Sequence, residues 1–199
     1  MSNDPTRASL LVRLRDPRDA DAWARFVRIY SPLVFHFARR SGLQDADAAD
    51  VTQDVLQSVH RRIEQFEYDP QKGAFRGWLR TVARARVADW IGLRRRQPVG
   101  AGGTEMAIAL SEHAGPEEEA AWERDYRKAI FDAAIEKVRP EFQPATFSAF
   151  WETAVEGRPV AETADRLGLS SGAIYIARSR ITARLRDVIA AWEREESDA

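Results

Sequence analysis

Hydrophobic positions along this chain recur at three- and four-residue intervals, with no competing two-residue alternation. That spacing gathers apolar groups on one face of an α-helix. The pattern therefore predicts an all-α chain. A first short helix is expected from Arg7 to about Arg15, closed at Asp16-Pro17 because proline disfavours helical backbone in the residue before it. Asp19 or Asp21 then caps a second helix. Its buried face is Trp23, Phe26, Val27 and Tyr30, continuing beyond Pro32 with Val34, Phe37 and Ala38 to a stop at Gly42. Helical pattern on both sides of Pro32 predicts a kink or break there. Asp45 opens a third helix with the apolar stripe Val51, Val55, Val59 and Ile63, and Leu56 beside it. On another face of that helix, Asp50, Gln53, Asp54 and Gln57 stand at i, i+3, i+4 and i+7.

One long helix is predicted from Phe75 to Arg96, where Trp78, Val82, Ala85, Asp89 and Leu93 follow helical spacing. A further helix carries Trp122, Tyr126, Ile130, Ala133, Ala134 and Val138 as far as Arg139-Pro140. The next begins near Pro144, with Phe147, Phe150, Trp151, Ala154 and Val155 apolar, and ends at Gly157. Pro159 starts a short helix, Val160 to Leu167, which Gly168 stops. Ser170 is placed to cap a last helix whose inward positions are Ile174, Ala177, Ile181, Leu185 and Val188.

Composition divides this helical chain in two. Residues 98–116 hold Pro98, Gly100, Gly102, Gly103, Gly115 and Pro116 with few large apolar groups, the make-up of a flexible linker. Two small helical domains follow, 8–97 and 117–190, with a frayed N-terminus at 1–7 and a short tail at 191–199. The absence of cysteine removes disulfides, thiolate chemistry and cysteine-ligated zinc. No apolar run is long enough to span a bilayer, and the N-terminus lacks the apolar core of a signal peptide, so a cytoplasmic location is expected.

The formal net charge of −1 conceals strong local patches. Leu43 to Val59 carries Asp45, Asp47, Asp50 and Asp54 without a base, whereas Arg166 to Arg186 carries arginines without an acid. Local fields decide what a surface attracts. On the Phe75–Arg96 helix, Arg76, Arg80, Arg84, Arg86, Arg94, Arg95 and Arg96 crowd around Trp78 and Trp90, and Asp89 is the only acid between Pro70 and Arg96. Guanidinium groups neutralise phosphates, and aromatic faces stack on unpaired bases, so this segment suits a nucleic acid. An aromatic core pair beneath a solvated arginine face is the competing interpretation. The turn-rich stretch Phe66 to Gly73 brings Tyr68 and Lys72 next to the helix, where a loop could close over an extruded base. The acidic stripe is open between solvated surface and a docking face for a basic partner. Glu117, Glu118 and Glu119 favour a helix first turn through the macrodipole and have no histidine to complete a metal site. Asp45, Asp47, Asp50 and His60 spread around a helix rather than converging, which argues against a metal-dependent hydrolase. No catalytic residue, metal or cofactor is expected. Near the C-terminus, a short helix, a glycine turn and a basic helix form a helix-turn-helix pattern. Its recognition helix displays Ser171, Tyr175, Arg178, Ser179, Arg180 and Thr182.

Taken in order, these motifs resemble the extracytoplasmic-function (ECF) group of RNA polymerase sigma factors, sigma-70 superfamily. An acidic D-x-x-Q-[DE] helix is represented by Asp50-Val51-Thr52-Gln53-Asp54, and F-x-x-W-L by Phe75-Arg76-Gly77-Trp78-Leu79. Ala83-Arg84, Asp89 and the arginines 94 to 96 follow. The final motif, A-E-x-L-G-x-S-x-G-x-[VI], is approached by Ala161, Glu162, Leu167, Gly168, Ser170, Gly172 and Ile174. Ala85 stands where the family usually has Asn, and Tyr175 and Ala177 where it usually has Lys or Arg. The resemblance implies sigma region 2 at 8–97 and sigma region 4 at 117–190. It implies that Asp50, Gln53, Asp54 and Gln57 dock on the clamp coiled coil of the largest subunit of core RNA polymerase. Tyr68, Lys72, Phe75, Arg76, Trp78, Arg80, Arg84, Arg86 and Arg94 to Arg96 would then read and melt the minus-ten element of promoter DNA. The recognition helix would read the minus-thirty-five element, with an anti-sigma factor as a candidate further partner.

Overall fold

Asp19 starts the fold's longest early helix by a device visible in its own chemistry. Its carboxylate accepts from the backbone N–H of Ala22 at 2.9 Å and from the guanidinium of Arg13 at 2.7 and 2.8 Å. A capped helix start and the preceding short helix are thereby tied together. The structure, a computed structural model, describes residues 10–63, 75–96 and 115–197. Eight α-helices are seen among them: α1 (Leu10–Leu14), α2 (Ala20–Arg40), α3 (Asp45–Arg62), α4 (Phe75–Arg96), α5 (Pro116–Val138), α6 (Pro144–Phe150), α7 (Val160–Leu167) and α8 (Ser171–Ser197). No strand occurs among the described residues. No helix there is long and apolar enough to cross a membrane.

Contacts divide the chain into two units, residues 1–129 with 194–199, and residues 130–193. The division falls inside α5, so residues 117–129, which follow the composition-predicted linker, pack with the first unit. In that unit α1, α2, α3 and α4 share one core. Leu10, Leu14, Phe26, Leu33, Val51, Val55, Val59, Phe75, Leu79 and Val87 are buried in it. Phe75 lies 6.0 Å from Phe26 and 5.5 Å from Tyr30, centroid to centroid, both edge-on. Such aromatic pairs add about 0.5–1.5 kcal/mol beyond their buried area.

Three predicted details are corrected. Pro32 does not break α2, which runs unbroken from Ala20 to Arg40. Pro32, which has no N–H to donate, is exposed, as is Arg28 one turn before it, while Ile29, Tyr30, Leu33 and Val34 are buried on either side. The proline thus sits on the solvent side, where a lost helical hydrogen bond costs least, while core packing holds the helix. Val27, predicted to face inward, is 41% exposed. In α4 the buried stripe is Phe75, Leu79, Val82, Ala83, Val87 and Ile91, whereas Ala85 and Asp89 are exposed. The stripe drawn through Trp78, Val82 and Ala85 lies to one side of the true core face, because Phe75 anchors the helix to α2.

The second unit is built on its own core of Ala149, Ala164, Ile174 and Ala177, with Val160, Leu167 and Leu169 packed against it. Ile181, Leu185 and Val188 extend the buried row along α8, as their spacing predicts. The helix expected from Pro144 to Gly157 changes character midway. α6 ends at Phe150 and a π-helical turn covers Trp151–Val155. The wider turn shifts the register, so Thr153 is buried, donating to the Ala149 carbonyl at 2.6 Å. Ala154 and Val155, predicted to be apolar contacts, are exposed.

Candidate nucleic-acid and protein-docking surfaces

On α3, the interior spacing of valines fixes which residues face outward. Val51, Val55 and Val59 are 1% exposed or less. Thr52 and Ser58 stay on the buried side by donating to the carbonyls of Ala48 and Asp54, each at 2.7 Å. That leaves Asp50, Gln53, Asp54 and Gln57 together on an exposed face. Their side chains have no partner among the described residues. The acids therefore present an uncompensated negative strip, suited to a basic surface. The His60 ring lies 4.9 Å from that of Trp23, tilted by 37°, and Asp45 pairs with Arg39 at 2.6 Å. Among the described residues no cluster of His, Cys, Asp and Glu could hold a metal ion.

The arginines of α4 separate by helical position. Arg76, Arg80 and Arg84, four residues apart, form one row. Each faces a glutamate of α5: Arg76 Nη1 to Glu123 Oε2 at 3.3 Å, Arg80 Nη1 to Glu119 Oε1 at 3.4 Å, and Arg84 to Glu118. Arg86 turns the other way, donating to Ser58 Oγ of α3 at 3.2 Å and pairing with Asp89 at 3.4 Å. Phe75, placed by the sequence among the minus-ten residues, is 1% exposed and a member of the core. Trp78 is half-buried, its ring 5.4 Å from that of Phe75. The buried Phe75 thus holds the partly open Trp78 in place. Arg94, Arg95 and Arg96 are the last residues of α4. Tyr68 and Lys72 lie outside the described residues. The sequence pointed to Glu118 and Glu119 only for a helix-dipole role, and did not single out Glu123. Glu118, Glu119 and Glu123 lie on one side of α5, but only the fold brings that side against the arginine row.

In the second unit, α7 ends at Gly168 in the left-handed conformation, φ 64°, a backbone that L side chains adopt at a cost. The turn brings Ser170 to the start of α8, where its hydroxyl accepts from the N–H of Ala173 at 3.1 Å. With Ile174, Ala177 and Ile181 buried, the remaining faces of α8 carry exposed Ser171, Tyr175, Ser179 and Arg180, with Arg178 and Thr182 half-buried. Tyr175 is 58% and Ile176 60% exposed, and the Arg178 guanidinium lies 5.9 Å from the Tyr175 ring. Large apolar groups beside arginine at the start of a helix after a tight turn suit the major groove, where thymine presents a methyl group and guanine two acceptors.

Comparison with known proteins defines the class: residues 26–97 match the sigma-70 region 2 family, which spans most of α2, α3 and α4. The chain therefore carries a sigma-70 region 2 domain, and the known proteins it resembles are extracytoplasmic-function RNA polymerase sigma factors. It is 25% identical over 198 residues to the ECF RNA polymerase sigma factor SigE of Mycolicibacterium smegmatis, covering 100% of this chain and 73% of that one. It is 29% identical over 175 residues to the ECF RNA polymerase sigma factor RpoE of Cereibacter sphaeroides, 87% of this chain and 91% of that one. With the ECF RNA polymerase sigma factor BldN of Streptomyces coelicolor the identity is 32% over 173 residues, 86% of this chain and 62% of that one.

Proposed function

We propose that this chain is a non-enzymatic initiation factor that binds core RNA polymerase in the cytoplasm, directs it to specific promoters and assists in melting them. The α3 face of Asp50, Gln53, Asp54 and Gln57 docks on the basic coiled coil of the clamp in the largest polymerase subunit. The arginines and Trp78 of α4, with Tyr68 and Lys72, hold the displaced strand of the minus-ten element. Phosphate contacts position that strand, and stacking offsets lost base stacking by about 1–3 kcal/mol per base. Residues Ser171, Tyr175, Arg178, Ser179, Arg180 and Thr182 of α8 read the minus-thirty-five element. An anti-sigma factor would silence the protein by covering these faces.

One observation carries the reading: the α3 stripe is exposed on the side away from a buried valine row. A helix-turn-helix regulator acting on duplex DNA alone has no use for that stripe. Asp54→Arg is therefore expected to weaken binding of core polymerase by at least about tenfold, because it places a like charge against a basic partner. Its affinity for promoter duplex should stay unchanged. Unaltered polymerase binding by the variant would overturn the docking assignment and favour the polymerase-independent regulator.

A further inference from the structure

The arginine row of α4 is already occupied. Reading along α4, Arg76, Arg80 and Arg84 meet Glu123, Glu119 and Glu118 in turn, so the two helices are zipped in opposite directions. Arg80 and Arg84 retain only 19% and 17% of their side-chain exposure, a degree of cover that free phosphate-binding arginines would not have. The acids do not act alone. Between and after them on α5, Trp122 and Tyr126 are each 1% exposed within the first unit. Trp122 lies 5.6 Å edge-on from Phe37, and Tyr126 is 6.2 Å from Tyr30. The Arg76 guanidinium also sits 4.2 Å from the centroid of the Tyr126 ring, and Arg40 pairs with Asp125. Two aromatic anchors thus hold a row of carboxylates against a row of guanidinium groups.

We propose that residues 118–126 of α5 act as a built-in stand-in for the DNA backbone, closing the α4 arginine row until nucleic acid or polymerase displaces them. The inference rests on the reading of α4 as a DNA-binding surface. Carboxylate and phosphate oxygens satisfy guanidinium donors in the same way, so the two occupants are mutually exclusive. Exposed ion pairs contribute little one by one. Tethering makes the glutamates a high local concentration of competitor, and the apparent affinity for DNA is reduced in proportion to the fraction of chains in which the row is open. The contact is also built to release. The indole Nε1 of Trp122 is buried without an acceptor among the described residues, an unmet donor that water would satisfy once the helix lifts.

The absence of cysteine makes a charge-balanced test possible. Arg80→Cys combined with Glu119→Cys in the full chain is joined by a short bismaleimide, and a matched sample is capped with N-ethylmaleimide. Both are titrated against a fluorescein-labelled, mixed-sequence single-stranded oligonucleotide at low salt. The linked protein is expected to bind at least about fivefold more weakly than the capped one, since two further phosphate contacts stay closed. Adding Arg76→Ala and Arg84→Ala to the capped protein should also weaken binding. Equal affinity of linked and capped protein, with binding still dependent on Arg76 and Arg84, would overturn the switch and leave the α4 reading standing. Binding indifferent to Arg76 and Arg84 would overturn both. Against damage from the cysteines, Glu118→Gln with Glu123→Gln in the otherwise unaltered chain should tighten binding severalfold. The same loss of charge by Asp16→Asn with Asp21→Asn should change it far less, and equal gains from the two would also count against the switch.

Discussion

Asp19 accepts three hydrogen bonds from Arg13 and Ala22, and those bonds, the arginine's first, hold its carboxyl down at about 2, against an ordinary value of 3.8. A depressed folded-state value means that its contribution to stability is complete above the ordinary carboxylate range and disappears as the pH falls through about 2. Asp19→Asn keeps a competent cap but removes the charge. Its melting temperature should therefore lie below that of the wild type at neutral pH, and thermal melts in increasing acid should show the gap closing between the two carboxyl values. A gap that persisted to the acid limit would mean the charge is not what matters. Much at this scale was legible in the sequence: Asp19 as a candidate cap, Ser170 as a cap, Gly42 and Gly168 as stops. What was not legible were side chains with two possible masters. Phe75 has the look of a base-stacking ring beside arginines, yet Phe26 and Tyr30, far off in sequence, claim it for the core. Glu118 and Glu119 read as a helix start and Glu123 carried no signal, because their arginine partners lie more than thirty residues away.

Helix boundaries followed from local chemistry wherever a stop was covalent or conformational. α4 spans Phe75–Arg96 and α7 spans Val160–Leu167, as their patterns predict. Departures came where packing overrode period: of the kink or break expected at Pro32 the break does not occur, and the π-turn at Trp151–Val155 rotates Ala154 and Val155 outward. No sequence period signals a wide turn of that kind, because its cost is met by tertiary contacts such as those of Phe150 and Thr153. The helix-turn-helix, by contrast, depends on two local devices that can be tested separately. Ser170→Ala removes the acceptor for Ala173 and should lower stability by about 1 kcal/mol. Gly168→Ala forces a side chain into left-handed backbone and should cost roughly 1–2 kcal/mol. Urea titration followed by circular dichroism would read both, and a Gly168→Ala protein as stable as the wild type would contradict the turn geometry.

The whole molecule divides its charge as it divides its contacts. An acidic face on α3, an arginine row on α4 and the arginines of α8 are local features that the total of −1 conceals, because acids elsewhere, among them Glu117, Glu118, Glu119 and Glu123 of α5, balance the excess of arginine. The first unit takes in the start of α5, and the second is organised around α7 and α8. At this scale the order of motifs in the sequence was sufficient to assign the class. The packing of residues 117–129 with the first unit was not, since linker composition points to a boundary before them. The account stands or falls on promoter opening by polymerase that carries this chain. The direct measurement is permanganate footprinting of unpaired thymines, with run-off transcription, on a promoter library supplied with core polymerase. Opening at the minus-ten region should require the chain and should be strongly reduced by Trp78→Ala, while polymerase binding by that variant is retained. Polymerase that opens no promoter in the library with the chain present, or opens the same promoters equally well without it, would contradict the account.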